Sequence, residues 1–538
     1  MKRKQSNWSF RQYVESILRD EKNSVELQNG EDVRVALAFP NYYPLGISNL
    51  GYQTVYRLFN EIPGVRCERI FVYEPPLGYF ARTLESQRQL NEFDIVAFSL
   101  CYEVDTLNLF RILENGRIPL LTRDREGNEP LVIVGGVITF LNPLPLAPFV
   151  DVFLLGEGEE LISSFVNVYR ECKSHGFSRH QCLSRLAAHE NFFVPSISPK
   201  THRKLKVHHV NVRAHRPAFS PIITPRGHFG EMFLLEVGRG CSRRCRFCAA
   251  SYIFQTYRSN EITSLKQTIQ AQTPSERITI GLVGSALADY PALPQLCRWL
   301  LQNNYRFSFS SFRLDKLTPE ILQYLENSQI QTVTGAPEAG TERLRRIIGK
   351  PLSDFQLYEV VEAFAATRIP RLKLYFLIGL PSEEDADIEG IIVTVKNIHR
   401  ILLTSGATKK QLRVSINAFI PKPFTPFQWA PMDMEKNIIR KRRYIERELR
   451  QLKEVTVASK SLRGELLQTL ITLGDERVGL ALLESYRYQK NIFKLLPGYG
   501  VDSGSLLYQP REFEYPFPWD IIDYPIPKDK LWRDFVAV

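Results

Sequence analysis

The chain has no long apolar run. Its most apolar stretch, from Leu131 to Leu155, is broken by Gly135, Gly136, Asn142, Pro143, Pro145, Pro148 and Asp151, whereas a spanning helix needs about 20 uninterrupted apolar residues. A membrane span is therefore not expected. No basic segment followed by an apolar one opens the sequence, which begins Met-Lys-Arg-Lys-Gln-Ser-Asn-Trp and then turns amphipathic, so secretion is not expected either. Cysteine is sparse: there are eight, and Cys67, Cys101, Cys172, Cys182 and Cys297 are scattered. A reducing cytoplasm fits this usage better than a disulfide framework. Histidine is absent before His175. Nor is there a block of one charge. The formal balance of +11 and the pI near 9.1 would suit a polyanionic partner, but basic residues are interleaved with acids along the chain. The densest run, Arg440 to Lys453, places Ile445, Leu449 and Leu452 at helical spacing and reads as an exposed amphipathic helix. No RNA-binding motif accompanies the charge, so a nucleic-acid partner has no motif behind it.

What is present is a long globular chain, 538 residues with 44% hydrophobic content, enough for three or four domains at a prior of roughly 150 residues each. Residues 1–30 read as a helical lead-in. Within 31–195, strand candidates at Val33–Phe39, Arg69–Tyr73, Asp94–Leu100, Leu131–Val134 and Val152–Leu155 alternate with helical periodicity at Ile47–Asn60 and Val104–Asn115. The pattern predicts an α/β fold with a doubly wound parallel sheet, which binds ligands beyond the carboxyl ends of its strands. Residues 196–230, rich in Pro, His and Arg, read as a linker. In 231–425, strand candidates at Met232–Val237, Ile278–Val283, Phe307–Phe312, Thr332–Gly335, Leu372–Ile378 and Arg413–Phe419 alternate with helical segments. Six such units predict a partial (β/α)6 barrel. Residues 426–538 read as a helical, aromatic-rich C-terminal extension ending in Trp519 and Trp532, whose aromatics are expected to pack on the barrel.

The first barrel strand runs into Gly240-Cys-Ser-Arg-Arg-Cys-Arg-Phe-Cys248. Cys241, Cys245 and Cys248 put three thiolates on one short loop, close enough to hold three corners of an iron–sulfur cube and leave one iron without a protein ligand. Arg239, Arg243, Arg244 and Arg246 add positive charge. Zinc, the competing reading, wants four closed ligands; His228 and Cys297 are the nearest extra candidates and neither forms a pair spacing. The five dispersed cysteines leave no set for an auxiliary cluster.

This loop resembles the signature of the radical S-adenosylmethionine (SAM) superfamily, over roughly residues 230–425. The resemblance implies a [4Fe-4S] cluster that binds SAM at its open iron, cleaves it reductively to a 5′-deoxyadenosyl radical, and takes electrons from a low-potential donor such as flavodoxin or ferredoxin. It places Phe247 near the adenine. The family often carries Gly-Gly-Glu after the second strand for the methionyl amino group; this chain has Val283-Gly284-Ser285 there. By the same resemblance, Ser310 and Arg313 are candidates for ribose or carboxylate contacts. Glu338 matches the acidic position ending the fourth strand, and Gly379, in Tyr375-Phe-Leu-Ile-Gly-Leu-Pro381, would permit close approach to the adenine.

An α/β domain ahead of such a barrel is similar to the cobalamin-binding domain of one branch of that superfamily. Leu131-Val-Ile-Val-Gly-Gly136 and Leu155-Gly-Glu-Gly-Glu159 carry this likeness, which makes Gly135 and Gly136 candidate cobalamin contacts. Asn41 and Tyr43 replace the Asp and His of the branch's Asp-x-His-x-x-Gly loop. Tyr, with a pKa of about 10, is a poor cobalt ligand, so cobalamin would bind without a His axial ligand. The resemblance then implies cobalamin-dependent methylation or a related modification, with the substrate at the domain junction. The alternatives are a cobalamin-independent radical enzyme whose first domain recognises substrate, or an RNA-binding or RNA-modifying protein. The sequence names no substrate.

Overall fold

The computed structural model describes residues 2–28, 32–74, 77, 81–198, 204–254, 256–273, 278–310, 312–404 and 410–538, with side chains from Ser9 onward. Residues 1, 29 and 30 of the expected lead-in, 31 at the start of the expected α/β domain, 199–203 of the expected linker and 311 of an expected strand lie outside that set. The chain divides into two compact units: residues 1–233, 470–503 and 516–523, and residues 234–469, 504–515 and 524–538.

In the first unit a helical lead-in, α1 (Lys2–Asp20), precedes a six-stranded sheet of β1 (Val33–Tyr42), β2 (Val65–Val72), β3 (Ile95–Ser99), β4 (Leu131–Gly135), β5 (Val152–Leu154) and β6 (Phe192–Phe193). The order is β2-β1-β3-β4-β5-β6, parallel except for β6. This is a doubly wound order whose direction switches between β1 and β3. The strands read as near-continuous apolar runs because they are buried on both faces, as in β3, all five of whose residues are buried. The helices that follow are α2 (Leu50–Asn60), α3 (Thr106–Asn115), α4 (Gly158–Ser174) and α5 (Arg179–Ala187). Asn49 caps α2 by accepting the Tyr52 N–H, and a Ser178–Gln181 capping box starts α5.

Two expectations change here. The stretch read as a linker has little regular structure, but Phe219, Ser220, Ile222 and Ile223 are buried. The Gln53 amide pairs with both backbone groups of Ile222, at 2.9 and 3.1 Å, and Lys22 and Ile223 exchange backbone hydrogen bonds. Extended chain can be core without any periodicity to announce it. Trp519, expected on the barrel, belongs to the first unit, where it is buried and stacks on Phe517 at 4.5 Å.

The second unit carries the repeated β/α pattern. A three-stranded sheet joins β7 (Met232–Glu236), β8 (Thr279–Val283) and β9 (Arg306–Phe309) in the order β9-β8-β7. A four-stranded parallel sheet follows, β10 (Thr332–Glu338), β11 (Arg371–Ile378), β12 (Gln411–Ala418) and β13 (Val455–Ser459). The Phe312 N–H donates to the Thr334 carbonyl across the seam between them. Helices α6 (Ile262–Gln272), α7 (Leu293–Gln302), α8 (Pro319–Asn327), α9 (Glu342–Ile347), α10 (Asp354–Ala365) and α11 (Asp385–Thr404) cover the outside. Along β11, Leu372, Leu374, Phe376 and Ile378 are buried, while Lys373, Tyr375 and Leu377 are half-buried on the inner face, the alternation that a pleated strand imposes.

The barrel outlasts its expected end. β13 extends it by one strand into the region read as helical, because a five-residue strand behind Lys453 and Glu454 gives too short a period to register. Helix α12 (Glu435–Leu449) takes in most of the run expected to be an amphipathic helix but ends before Leu452; Ile438, Ile445 and Leu449 are buried, and Arg442 with them, paired to Glu465 at 2.7 Å. The last helix, α13 (Lys528–Val536), packs Trp532 edge-on against buried Trp429 at 5.2 Å.

Candidate functional site

The cysteine loop leaves the end of β7 and is held by its backbone. The Arg246 N–H donates to the Ile348 carbonyl at 2.9 Å, and the Arg246 carbonyl accepts the Phe427 N–H at 3.1 Å. The Tyr252 hydroxyl donates to the Arg244 carbonyl at 2.9 Å. Beneath the loop lies Gly349, with φ +75°; a Cβ there would be tight, 3.3 Å from the Arg244 carbonyl oxygen, and strained at that φ, so glycine favours the close turn after α9.

Cys241, Cys245 and Cys248 line one cavity of about 220 Å3. Of the other residues singled out from sequence, Phe247, Ser285, Arg313 and Glu338 line it with them. Ser310 is not among the lining residues; it lies just past the end of β9 and is exposed. Gly284 sits behind, where a Cβ would meet the Gly238 carbonyl at 3.1 Å. Gly379 is engaged elsewhere. Its N–H donates to both Glu383 carboxylate oxygens at 2.9 Å, and Lys441 joins Glu383 to Asp433, each at 2.6 Å.

The local charge differs from the loop's arginine count. Arg239 pairs with Glu236 at 2.7 Å, and the Arg246 guanidinium binds the Ile347 carbonyl. Arg313 binds Asp289 at 2.6 Å and Asp315 at 3.0 Å, while Ser242 also donates to Asp289. Of the loop's arginines, Arg243 lines the cavity, 3.8 Å from Asp289 and 3.9 Å from Asp315. The cation nearest the buried thiols in effect is Lys350, whose Nζ lies 3.0 Å from Glu338 Oε1. Burial pushes the Cys245 thiol up to about 12 and raises Cys248 as well, with Lys350 acting against both. The buried thiols thus stay protonated until a metal displaces the protons.

The donor types, thiols alone, suit an iron–sulfur cube, but among the described residues the three side chains are not gathered as a ready-made metal-holding group. There are three thiols, and no fourth cysteine is among the cavity's lining residues; Cys297 is buried on α7. Ser251, 4% exposed and lining the same cavity, has a buried Oγ with no hydrogen-bond partner among the described residues. A buried hydroxyl without a partner costs about 1–3 kcal/mol, and a sulfide or thiolate acceptor would supply one. Sequence reasoning missed Ser251, Lys350, Asp289 and Asp315, for which no motif spacing exists. Tyr375, named from sequence only as the start of the run leading to Gly379, lines the cavity as well, as the alternation along β11 allows.

At the carboxyl edge of the first unit's sheet, the Asn41 amide donates to Asp105 at 2.9 Å, linking the end of β1 to the turn after β3. Burial raises the Asp105 carboxyl to about 6. Tyr43 is committed to the interior: its hydroxyl donates to Glu21 at 2.7 Å, its ring meets Phe71 edge-on at 5.1 Å, and burial keeps the phenol protonated. It has no freedom to ligate cobalt. Gly136, at φ +107°, is required by the Leu100 carbonyl, 2.4 Å from where a Cβ would sit, whereas a Cβ on Gly135 would meet nothing within 4 Å. Tyr42 and Leu45 are 41% and 45% exposed at the same edge. A flat ligand could lie on this edge, and the chain brings His228 to the same loop, its backbone N–H donating to the Pro44 carbonyl at 3.0 Å and to Ser48 Oγ at 2.7 Å.

Residues 51–195 match the family described as radical SAM proteins, N-terminal, and residues 235–395 match the radical SAM superfamily; together they take in more than half of the chain. An uncharacterised protein of Methanocaldococcus jannaschii is 29% identical over 468 residues, covering 86% of this chain and 92% of its own. Among solved structures, the radical SAM methyltransferase TsrM from Kitasatospora setae, determined with cobalamin and a [4Fe-4S] cluster bound, superimposes with a TM-score of 0.51. It shares 14% identity over 74% of this chain and 77% of that one. The cobalamin-dependent SAM radical enzyme OxsB, with aqua-cobalamin bound, gives a TM-score of 0.49 and 14% identity over 85% of this chain and 62% of its own.

Proposed function

Because the chain belongs to the radical SAM superfamily, we propose that it is an enzyme that cleaves SAM reductively at a [4Fe-4S] cluster held by Cys241, Cys245 and Cys248, and that its first unit binds a corrinoid for methylation or a related modification of its substrate. The observation that carries the reading is that the three thiols line one cavity together with Ser251, whose hydroxyl has no partner among the described residues, and the Glu338–Lys350 pair. When bound, the cluster with SAM supplies a carbon radical and the corrinoid supplies a methyl group. The chain's residues do the rest. Three thiolates hold three irons, Lys350 offsets their negative charge, and Glu338 offers an acceptor for a cationic amine. Phe247 and Phe312 give the cavity apolar walls that limit water. For the corrinoid, support comes from the 2-1-3-4-5 strand order, the open space at Gly135, and the fold shared with TsrM, which was solved with cobalamin bound.

The test is anaerobic purification with cobalamin supplied, followed by iron, sulfide and corrinoid quantification and an assay for reductant-dependent 5′-deoxyadenosine. Cluster, corrinoid and cleavage together support the full reading. Cluster and cleavage without corrinoid leave a radical SAM enzyme whose first unit recognises substrate. Failure to assemble a [4Fe-4S] cluster after reconstitution overturns the reading at its root.

A further inference from the structure

The inner face of the barrel beside the thiol cavity is basic. Parallel register aligns Thr334 of β10, Lys373 of β11 and Arg413 of β12 across neighbouring strands, so their side chains share one face, about 4.8 Å apart from strand to strand. Thr334 and Tyr375 line the cavity. Lys373 therefore sits beside one lining residue in register and two positions along the strand from another. Its Nζ lies 4.7 Å from the centre of the ring of Tyr375, a lining residue, although Lys373 does not itself line the cavity. Neither Lys373 nor Arg413 has a carboxylate partner among the described residues, unlike Arg313, Lys350 and Lys441 in the same unit. Further toward the carboxyl end, on the same face, Asn417 of β12 has a buried Oδ1 with no partner among the described residues.

On the reading of the previous section, we infer that this inner face binds the substrate, and that the substrate carries an anionic group, a carboxylate or a phosphate, held by Lys373 and Arg413. A half-buried ammonium beside a second cation loses hydration, and its contact with the Tyr375 ring leaves its charge without a counter-charge until an anion arrives. Asn417 Oδ1, two layers nearer the cluster, accepts a hydroxyl or amine of the same molecule. The molecule is thus oriented with its anionic end away from the cluster and its hydrogen-bond donor toward it.

The experiment is lysine-selective amine labelling of the full-length, cluster-reconstituted protein, with the rate at Lys373 read by mass spectrometry. Inorganic phosphate and acetate serve as separate probes, which tells a phosphate site from a carboxylate site. One probe should slow labelling of Lys373 about tenfold relative to exposed lysines such as Lys396, and Arg413→Gln should raise the probe concentration needed about tenfold, the effect of one charge-assisted contact. Arg413 is exposed, so that variant is expected to fold. No selective protection by either probe, or protection unchanged in Arg413→Gln, overturns the inference. So does protection by SAM alone combined with weakened SAM binding in Lys373→Met, because the site would then hold the cosubstrate's own carboxylate. Labelling needs no turnover, so failure of the reductive-cleavage assay would leave this result standing.

Discussion

Glu338 and Lys350 form a 3.0 Å ion pair between two largely buried side chains, Glu338 at the carboxyl end of β10 and Lys350 in the turn after α9. Glu338 reaches it with φ +70° behind a break in the β10–β11 register, a costly backbone state for a residue with a side chain. If the carboxylate serves the cosubstrate's amino group, Glu338→Gln should weaken SAM binding about 10- to 100-fold, the loss of one charge-assisted hydrogen bond. Equilibrium binding to the reconstituted protein is the check. Unchanged affinity would leave Glu338 as a brace for Lys350.

Removing a thiol should be decisive. Cys245→Ser or Cys248→Ala leaves two thiols on the loop, too few to hold the cube's three irons. Iron and sulfide content should fall to background after reconstitution, and reductant-dependent 5′-deoxyadenosine should disappear. Cys297→Ser, on buried α7, should alter neither.

Sequence made the cysteine loop legible because its three ligands are contiguous and need no partner element to be recognised. The strands were legible for a similar reason: runs such as Val33–Phe39 are buried on both faces and announce themselves as apolar. Lys350 was not, since it comes to the thiols only through the left-handed turn at Gly349, a hundred residues along the chain. Nor was the burial of Phe219–Ile223, which depends on Gln53 and Lys22 rather than on any repeat of its own. β13 escaped because its pairing is provided by β12 and not by its length.

Gly135 and Gly136 separate a ligand role from a structural one. Gly136→Ala puts a Cβ against the Leu100 carbonyl at a φ that side chains avoid, so the first unit should lose stability with or without corrinoid, by at least about 1–2 kcal/mol for the backbone alone. Gly135→Ala meets open space and should leave the melting temperature of the corrinoid-free protein unchanged. Any loss of corrinoid retention in that variant then reports a direct contact at the ligand edge. Equal behaviour of the two variants in the absence of corrinoid would contradict the packing described.

Asp105 gives a pH test. Its carboxyl, at about 6 in the fold because of burial, stands above the usual value of about 3.9. The folded state therefore binds the proton more tightly than the unfolded state. This group's effect on stability is constant below about pH 4, turns unfavourable as pH rises from 4 to 6, and levels off above 6. Asp105→Asn keeps an acceptor for the Asn41 amide and removes the ionisation. The variant should match the parent near pH 4 and melt higher above pH 6, measured as the difference between two thermal-melt series. A difference that does not change with pH would show that Asp105 is not the titrating group.

The C-terminal helix reaches the cysteine loop. Phe535 and Phe247 pack against one buried apolar cluster that includes Leu380, Phe419 and Phe427, and Phe535 also stacks on Trp429 at 6.0 Å. Asp534 acts electrostatically on Tyr252, the residue that fixes the Arg244 carbonyl. Phe535→Ala should destabilise the second unit by about 2 kcal/mol, below the 3–5 kcal/mol of a fully buried aromatic because the ring is half-buried. The wall beside Phe247 would loosen, and oxygen and water would reach the thiols more readily. The cluster of Phe535→Ala should therefore bleach faster in air than that of the parent at a temperature where both stay folded, and Phe535→Leu should recover most of the lifetime. Identical bleaching rates, with the expected drop in melting temperature, would confine the helix to holding the fold and free it of any part in shielding the site.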